Sequence, residues 1–166
     1  MLAVPAEAPA GERGKAVRPE DGALLARIDR HRQETWRWQR LMRRPLTPAS
    51  RSLTSLTDTE YRRWVLALWT RRVRTARRQA ANPPHKRAWS CIQRHEGPWH
   101  DPHAPYFGGL QMDLTFQRLY GRDLLRRKGT ADRWTPVEQM WVAERAHRSG
   151  RGFYPWPNTA RYCGLI

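Results

Sequence analysis

Pro83 and Pro84 stand side by side at the middle of the chain. No helix runs through such a pair, because each proline lacks a backbone N–H and its ring clashes with the preceding turn. They divide the sequence into two unlike halves. Ahead of them lie two stretches without a helix breaker, Gly22 to Arg44 and Asp58 to Ala81, held apart by Pro45 and a Ser/Thr/Pro-rich connector from Leu46 to Leu56. Behind them come short segments rich in glycine, proline and aromatics.

In the first stretch Leu24, Ile28, His31, Thr35, Trp38 and Met42 recur at alternating spacings of four and three, the signature of one helix face. The second stretch opens on a capping box, Thr57 as N-cap with Glu60 behind it, and carries Tyr61, Trp64, Val65, Leu68, Trp69, Val73 and Ala76 as one wide apolar stripe. The expectation is a helical hairpin over residues 22–81, or two helices that clasp the following domain. The outer face of the second helix bears Arg63, Arg71, Arg74, Arg77 and Arg78, read either as a polyanion-binding face or as a solvated exterior. Trp36 and Trp38 alternate with Arg37 and Arg40, and packing is the commoner use of a helical tryptophan.

Charge narrows the partners. The 166 residues hold 31 basic and 15 acidic side chains for a net charge of +16, and all but Lys15, Lys86 and Lys128 of the basic ones are arginines, the side chain that forks onto phosphate and carboxylate. Residues 1–88 carry 20 basic and 8 acidic side chains and 89–166 carry 11 and 7, so the excess lies outside the second half. An anionic partner is expected. No zinc-finger, RRM or helix-turn-helix signature supports specific nucleic-acid binding, and no apolar run reaches the roughly 18 residues of a transmembrane segment. Nine tryptophans argue against a disordered chain.

Met1 to Ala10 is small and weakly apolar with Ala6-Glu7-Ala8 as a small-x-small site. It reads either as the end of an export signal whose upstream part is missing, or as a frayed terminus, with residues 1–21 flexible. Cys91 and Cys163 form no CxxC motif. A single bridge closing a long loop, which needs an oxidising compartment, remains open for them.

Past a proline linker over 82–88, Lys86 to Glu96 reads as a short helix with Trp89 and Ile92 inward, and Asp101 to Pro105 as a loop. Tyr106 to Met112 is extended or turning around Gly108 and Gly109. Asp113 caps a helix to Tyr120, and Thr135-Pro136-Val137-Glu138 opens another that runs to Ser149. Gly152 to Ile166 reads as irregular. Three chemical constellations compete here. His95, Glu96, His100, Asp101 and His103 invite zinc but miss the HExxH register, so no metal and no cofactor is expected. Cys91 and His95, four apart on one helix face, could pair a thiol with a base but show no orienting carboxylate. Glu96, flanked in sequence by Trp89, Trp99 and Tyr106, is a carboxylic acid among aromatic rings; such desolvation raises a carboxyl pKa toward the range of a general acid.

The segments Trp89-Ser-Cys-Ile-Gln-Arg-His-Glu96-Gly-Pro-Trp99, Tyr106-Phe-Gly-Gly-Leu-Gln-Met112, Pro136-x-Glu138-Gln139-Met140-x-Val142-Ala143-Glu144, Trp156-Pro157 and Cys163 together resemble, in order, the resuscitation-promoting factors, small lysozyme-like domains related to lytic transglycosylases. The likeness covers about residues 86–166. It implies a mainly α fold, an α+β lysozyme-like catalytic domain at 89–166 with a short β-hairpin or extended segment, preceded by the two long helices.

The resemblance implies Glu96 as the catalytic acid that protonates the oxygen between N-acetylmuramic acid and N-acetylglucosamine. It implies Tyr106, Gly108, Gly109, Gln111, Trp99 and Thr115 around the sugars, Thr115 only after a one-residue slip. Glu138 is already explained by its capping box, and Glu144 reads as a buried, paired structural acid. The family's cysteines fall at His95 and Thr159 here, whereas Cys91 and Cys163 each lie one helical turn away, which implies a Cys91–Cys163 disulfide in a shifted place. The implied setting is secreted and cell-wall associated, with peptidoglycan glycan strands, anionic envelope polymers and another cell-wall hydrolase as partners.

A hydrolase needs two carboxylates. Asp101, in a loop, and Asp113, at a helix cap, are poor seconds to Glu96, so the expected reaction is cleavage by a single acid, with a non-catalytic wall-binding or signalling protein of the same fold and a hydrolytic lysozyme as alternatives.

Overall fold

The computed structural model describes residues 19–49 and 58–166. Among these the chain is mainly α-helical. Its elements are α1 (Pro19–Leu41), α2 (Thr59–Ala80), α3 (Lys86–Glu96), β1 (Tyr106–Phe107), β2 (Met112–Asp113), α4 (Leu114–Tyr120), α5 (Arg122–Lys128), α6 (Pro136–Ala146) and α7 (Pro157–Tyr162). β1 and β2 pair antiparallel, with Tyr106 opposite Asp113.

α1 and α2 do pack on each other, but they run parallel rather than as a hairpin. Arg62 pairs with Asp21 at 2.5 Å near the start of both helices, and Arg77 holds Glu34 through two bonds of 2.5 and 2.6 Å near their ends. Thr47 lies back against α1, its carbonyl accepting from Trp36 Nε1 at 2.7 Å and its amide donating to Gln39 Oε1 at 2.9 Å.

The parallel arrangement brings both helix C-termini to one place. Arg145 on α6 donates to Leu41 O at 2.9 Å and Trp141 on α6 donates to Ala80 O at 2.7 Å. Terminal carbonyls that have no partner in their own helix are thus capped by the domain that follows, and the cation sits at the negative end of the α1 dipole. Leu41, Met42 and Ala80 join the main core with Trp89, Ile92, Leu110, Met112, Trp134, Met140, Val142 and Trp156. A second, smaller core of Ile28, Val65, Leu66 and Trp69 lies farther along the pair, with Trp36 edge-on to Trp69 at 5.9 Å. Trp38 packs against the main core and donates to Glu34, so both tryptophans are structural.

Several local expectations hold. Asp113 accepts from Phe116 N at 2.6 Å, and the Thr135–Glu138 capping box is complete, with Pro136 at the first helical position. Others need correction. The N-cap of α2 is Asp58, accepting from Tyr61 N at 2.7 Å; Thr57 lies outside the described residues, as do residues 1–18. Trp64 is 55% exposed and stacks on Tyr61, while Arg62 is buried in its place with Asp21 as counter-ion. The segment after Gly152 is not irregular throughout: α7 starts at Pro157, a residue whose fixed φ suits the first helical turn. The α-helical part of α6 stops at Ala146 and continues as a π-helical turn, His147–Arg151, with Gly150 at φ 94°.

Candidate active site

Glu96 is the last residue of α3, half-buried, and its position is set by the buried Trp89 and Ile92, two turns and one turn earlier. Its Oε1 accepts a 2.7 Å hydrogen bond from the Thr159 hydroxyl on α7. That hydroxyl also lies 3.3 Å from Trp156 O, but it has one proton, and the shorter contact takes it. Among the described residues Glu96 forms no ion pair, and its second oxygen accepts from no protein donor. One oxygen is held and the other is left for chemistry.

A cavity of about 150 Å³ has a lining that includes Tyr106, Gln111, Asp113, Thr115, Phe116, Arg151 and Trp156, and Glu96 itself is not part of that lining. Gln111 and Trp156 relate it to the acid through the residues next to them. A Cβ on Gly97, the residue after Glu96, would stand 3.1 Å from Gln111 Nε2, and Trp156 begins the turn that carries Thr159. Gln111 sits at φ 45° and donates to Asp101 Oδ2 at 2.8 Å and Gly108 O at 3.0 Å. Thr115, exposed in the first turn of α4, and the half-exposed Tyr106 flank the mouth.

The glycines and Trp99 support this wall from behind. Gly108 adopts φ 71°, and a Cβ there would lie 2.6 Å from Gln139 Oε1. Gln139 is held in place, because its fully buried Nε2 gives its two protons to Trp99 O at 2.7 Å and Ala131 O at 2.9 Å, with Trp134 O a longer contact at 3.2 Å. Gly109 lets Trp99 close against the turn, with 2.9 Å from its would-be Cβ to Cε3. Gly108, Gly109 and Trp99 therefore shape the turn without lining the cavity.

The other acids are committed elsewhere. Asp101 is held by His103 and Gln111, and those donors keep its carboxyl below the usual carboxylate range, His103 contributing most. Asp113 caps α4. The acid enclosed by aromatic rings is Glu144 rather than Glu96. Fully buried, it accepts from Trp89 Nε1 at 2.8 Å and His85 N at 2.8 Å, with Trp156, Phe153 and His147 packed around Trp89. Trp89 flanks Glu96 in sequence, but on a helix seven residues is two turns, so its indole points toward the core.

Cys91 and Cys163 are joined in a disulfide across 72 residues, pinning α7 to α3. Closing a loop of that length stabilises the fold by roughly 4 kcal/mol in the chain-entropy model. The pairing leaves Cys91 no thiol with which to attack, although His95 lies beside it. The five-residue zinc constellation disperses: His100 faces Asp132 O, His103 faces Asp101, and His95 packs edge-on to Tyr162 with ring centroids 4.2 Å apart. Two site residues, Thr159 and Arg151, escaped the sequence reading as site residues. Thr159 had one signal, its place three after Trp156 where the resembled family has a cysteine; Arg151 had none.

Comparison with models of known protein families, with curated proteins and with solved structures finds no match for this chain.

Proposed function

We propose that the chain is a lytic transglycosylase of the resuscitation-promoting-factor kind, cleaving peptidoglycan between N-acetylmuramic acid and N-acetylglucosamine. One observation carries the reading: Glu96 has one oxygen anchored by Thr159, while Asp101 and Asp113 are both engaged by N–H donors, and a cavity bordered by hydroxyl, amide, guanidinium and aromatic groups is related to the acid through Gln111 and Trp156. A sugar face stacks on an aromatic ring while its hydroxyls need polar partners, which suits a wall containing Tyr106, Gln111, Thr115 and Trp156.

With a single available acid, the substrate supplies the nucleophile. Protonated Glu96 gives its proton to the glycosidic oxygen as the bond to C1 of the muramic residue breaks. The resulting carboxylate takes the proton of the muramic 6-hydroxyl as O6 bonds to C1. A 1,6-anhydro ring closes, no water is consumed, and Glu96 ends protonated, ready for another turn. Thr159 fixes the carboxyl's orientation through both transfers.

The disulfide fits an oxidising compartment, which supports a secreted, cell-wall-associated setting. No described helix is long and apolar enough to cross a membrane. Arginines 27, 63, 71 and 74 line an open groove of about 540 Å³ between α1 and α2, floored by Leu24, Leu66 and Ala67, a fit for anionic envelope polymers. The test is digestion of purified peptidoglycan followed by mass spectrometry of the fragments. Anhydro-muropeptides are expected; reducing-end products would make the protein a hydrolase, and no products at all would leave a wall-binding protein.

A further inference from the structure

The α3–α7 seam next to Glu96 contains a ligand set that the glycan chemistry does not use. Cys91 and His95 are four residues apart on one face of α3, and Cys163 closes α7. The two sulfurs and a ring nitrogen of His95 all lie within 4.8 Å of one another. Both cysteines are half-buried and His95 is exposed, so solvent and small solutes reach the group. Thiolate and imidazole are the donors that zinc-class cations prefer, and two ligands four apart on a helix are pre-set on one side of an ion.

While the S–S bond stands, neither sulfur can carry charge, and the cluster is a disulfide with a histidine beside it. Reduction changes its chemistry. A dithiol attacks the bond, is itself oxidised to a disulfide, and leaves Cys91 and Cys163 as two thiols; two electrons and two protons have moved. A divalent cation then displaces both thiol protons and takes a lone pair from neutral His95. Zn–S bonds of about 2.3 Å and a Zn–N bond of about 2.0 Å place the three donors roughly 3.5–3.8 Å apart. The sulfurs open and His95 draws inward by about an ångström, within side-chain reach because the Cα atoms of Cys91 and Cys163 stay 6.1 Å apart.

We propose that the reduced chain binds one zinc-class divalent cation through Cys91 Sγ, Cys163 Sγ and His95, so that the α3–α7 seam is closed by a disulfide under oxidising conditions and by a metal under reducing ones. The consequence for Glu96 is direct. Its bond to Thr159 crosses the same seam four residues before Cys163, so whatever holds α7 on α3 also holds the orienting hydroxyl on the acid.

The full chain is reduced with dithiothreitol, desalted under nitrogen and titrated with Co²⁺, read by the near-ultraviolet thiolate-to-cobalt absorption. A one-to-one endpoint is expected for the reduced chain, none for the oxidised chain, and loss of the band on adding Zn²⁺. His95→Ala must weaken binding by at least about tenfold, since removing even an outer-shell partner of a ligand costs 10–100-fold. Absence of the band in the reduced wild type, or equal affinity in His95→Ala, overturns the proposal. Should the reduced chain lose its helical circular dichroism, Zn²⁺ restores it in the wild type and not in Cys163→Ser; failure of Zn²⁺ to restore it would equally sink the idea. None of these readouts depends on glycan cleavage, so they stand or fall apart from the proposed activity.

Discussion

Thr159 donates its hydroxyl proton to Glu96 across 63 residues of sequence and 2.7 Å of space. The bond joins two elements that are short by themselves, the end of α3 and the six-residue α7, and the Cys91–Cys163 disulfide crosses the same seam. A hydroxyl on a carboxylate is a charge-assisted contact, about twice as strong as one between neutral groups.

Replacing Thr159 by valine keeps the shape and removes the donor. Glycan cleavage is expected to fall about tenfold, in line with roughly 1.5 kcal/mol for a hydrogen bond to a charged group. Glu96→Gln keeps an acceptor for Thr159 but cannot transfer a proton, and should lose about 10²–10⁴-fold. Anhydro-muropeptide release measured on both variants, with circular dichroism as the check on folding, separates the two roles. Equal losses would place Thr159 in proton transfer itself.

Gly108→Ala tests the wall behind the cavity. The new Cβ meets Gln139 Oε1 at 2.6 Å in a backbone conformation, φ 71°, that alanine adopts at a cost. With Gln139 held by the carbonyls of Trp99 and Ala131, the strain and the overlap together are expected to destabilise the fold by about 2–4 kcal/mol. Guanidinium denaturation reads this directly. A loss below 1 kcal/mol would mean that the turn shifts as a unit, and Gln111 with it.

These contacts also show which parts of the molecule could be read from sequence. The caps at Asp113 and Thr135 were legible because a helix start is decided within four residues. Glu96 and the cysteine pair stood out through neighbouring motifs. The direction of α2 against α1 was not legible, because it depends on Arg145 reaching Leu41 and Trp141 reaching Ala80, across 104 and 61 residues. The aromatic setting expected for Glu96 belongs to Glu144 for a related reason: sequence proximity to Trp89 says nothing about which way an indole points. Thr159 was hidden because a threonine carries no signal until its partner is known.

The arginine groove makes a prediction in solution. Exchanging Arg63, Arg71 and Arg74 for glutamine removes three charges from exposed positions that hold no structural ion pair among those described, so stability should change little. Binding to a soluble polyphosphate or teichoic-acid-type polymer should weaken, and its dependence on salt should become shallower, because fewer counter-ions are released. Fluorescence anisotropy across a salt series measures both. Arg77→Gln is the contrasting variant, since its charge is already engaged by Glu34.

Acid should weaken the fold over two pH ranges. His147 is held below its ordinary value of 6.5, first by burial and then by repulsion from His85, so the unfolded chain takes up its proton before the native one does. Stability is therefore fully present above about pH 6.5 and declines as the pH falls below it. The carboxylates act lower. Glu34 is depressed from 4.5 by its bond to Arg77; at Glu138 burial would raise the value, but Lys128 and the Thr135 donors outweigh it. Each contributes stability above the unfolded value and loses it as pH falls through the folded one. Glu138→Gln should thus be less stable than wild type at pH 7, where Lys128 loses its 2.7 Å ion pair, and the gap should shrink as the pH drops below about 4.5, where the unfolded wild-type chain takes up the Glu138 proton while the native carboxylate, held lower, becomes neutral only at more acid pH. Denaturation midpoints of the two proteins from pH 8 to 3 give the comparison. A gap that stays constant over that range would assign the loss to packing of the capping box and not to the carboxylate charge.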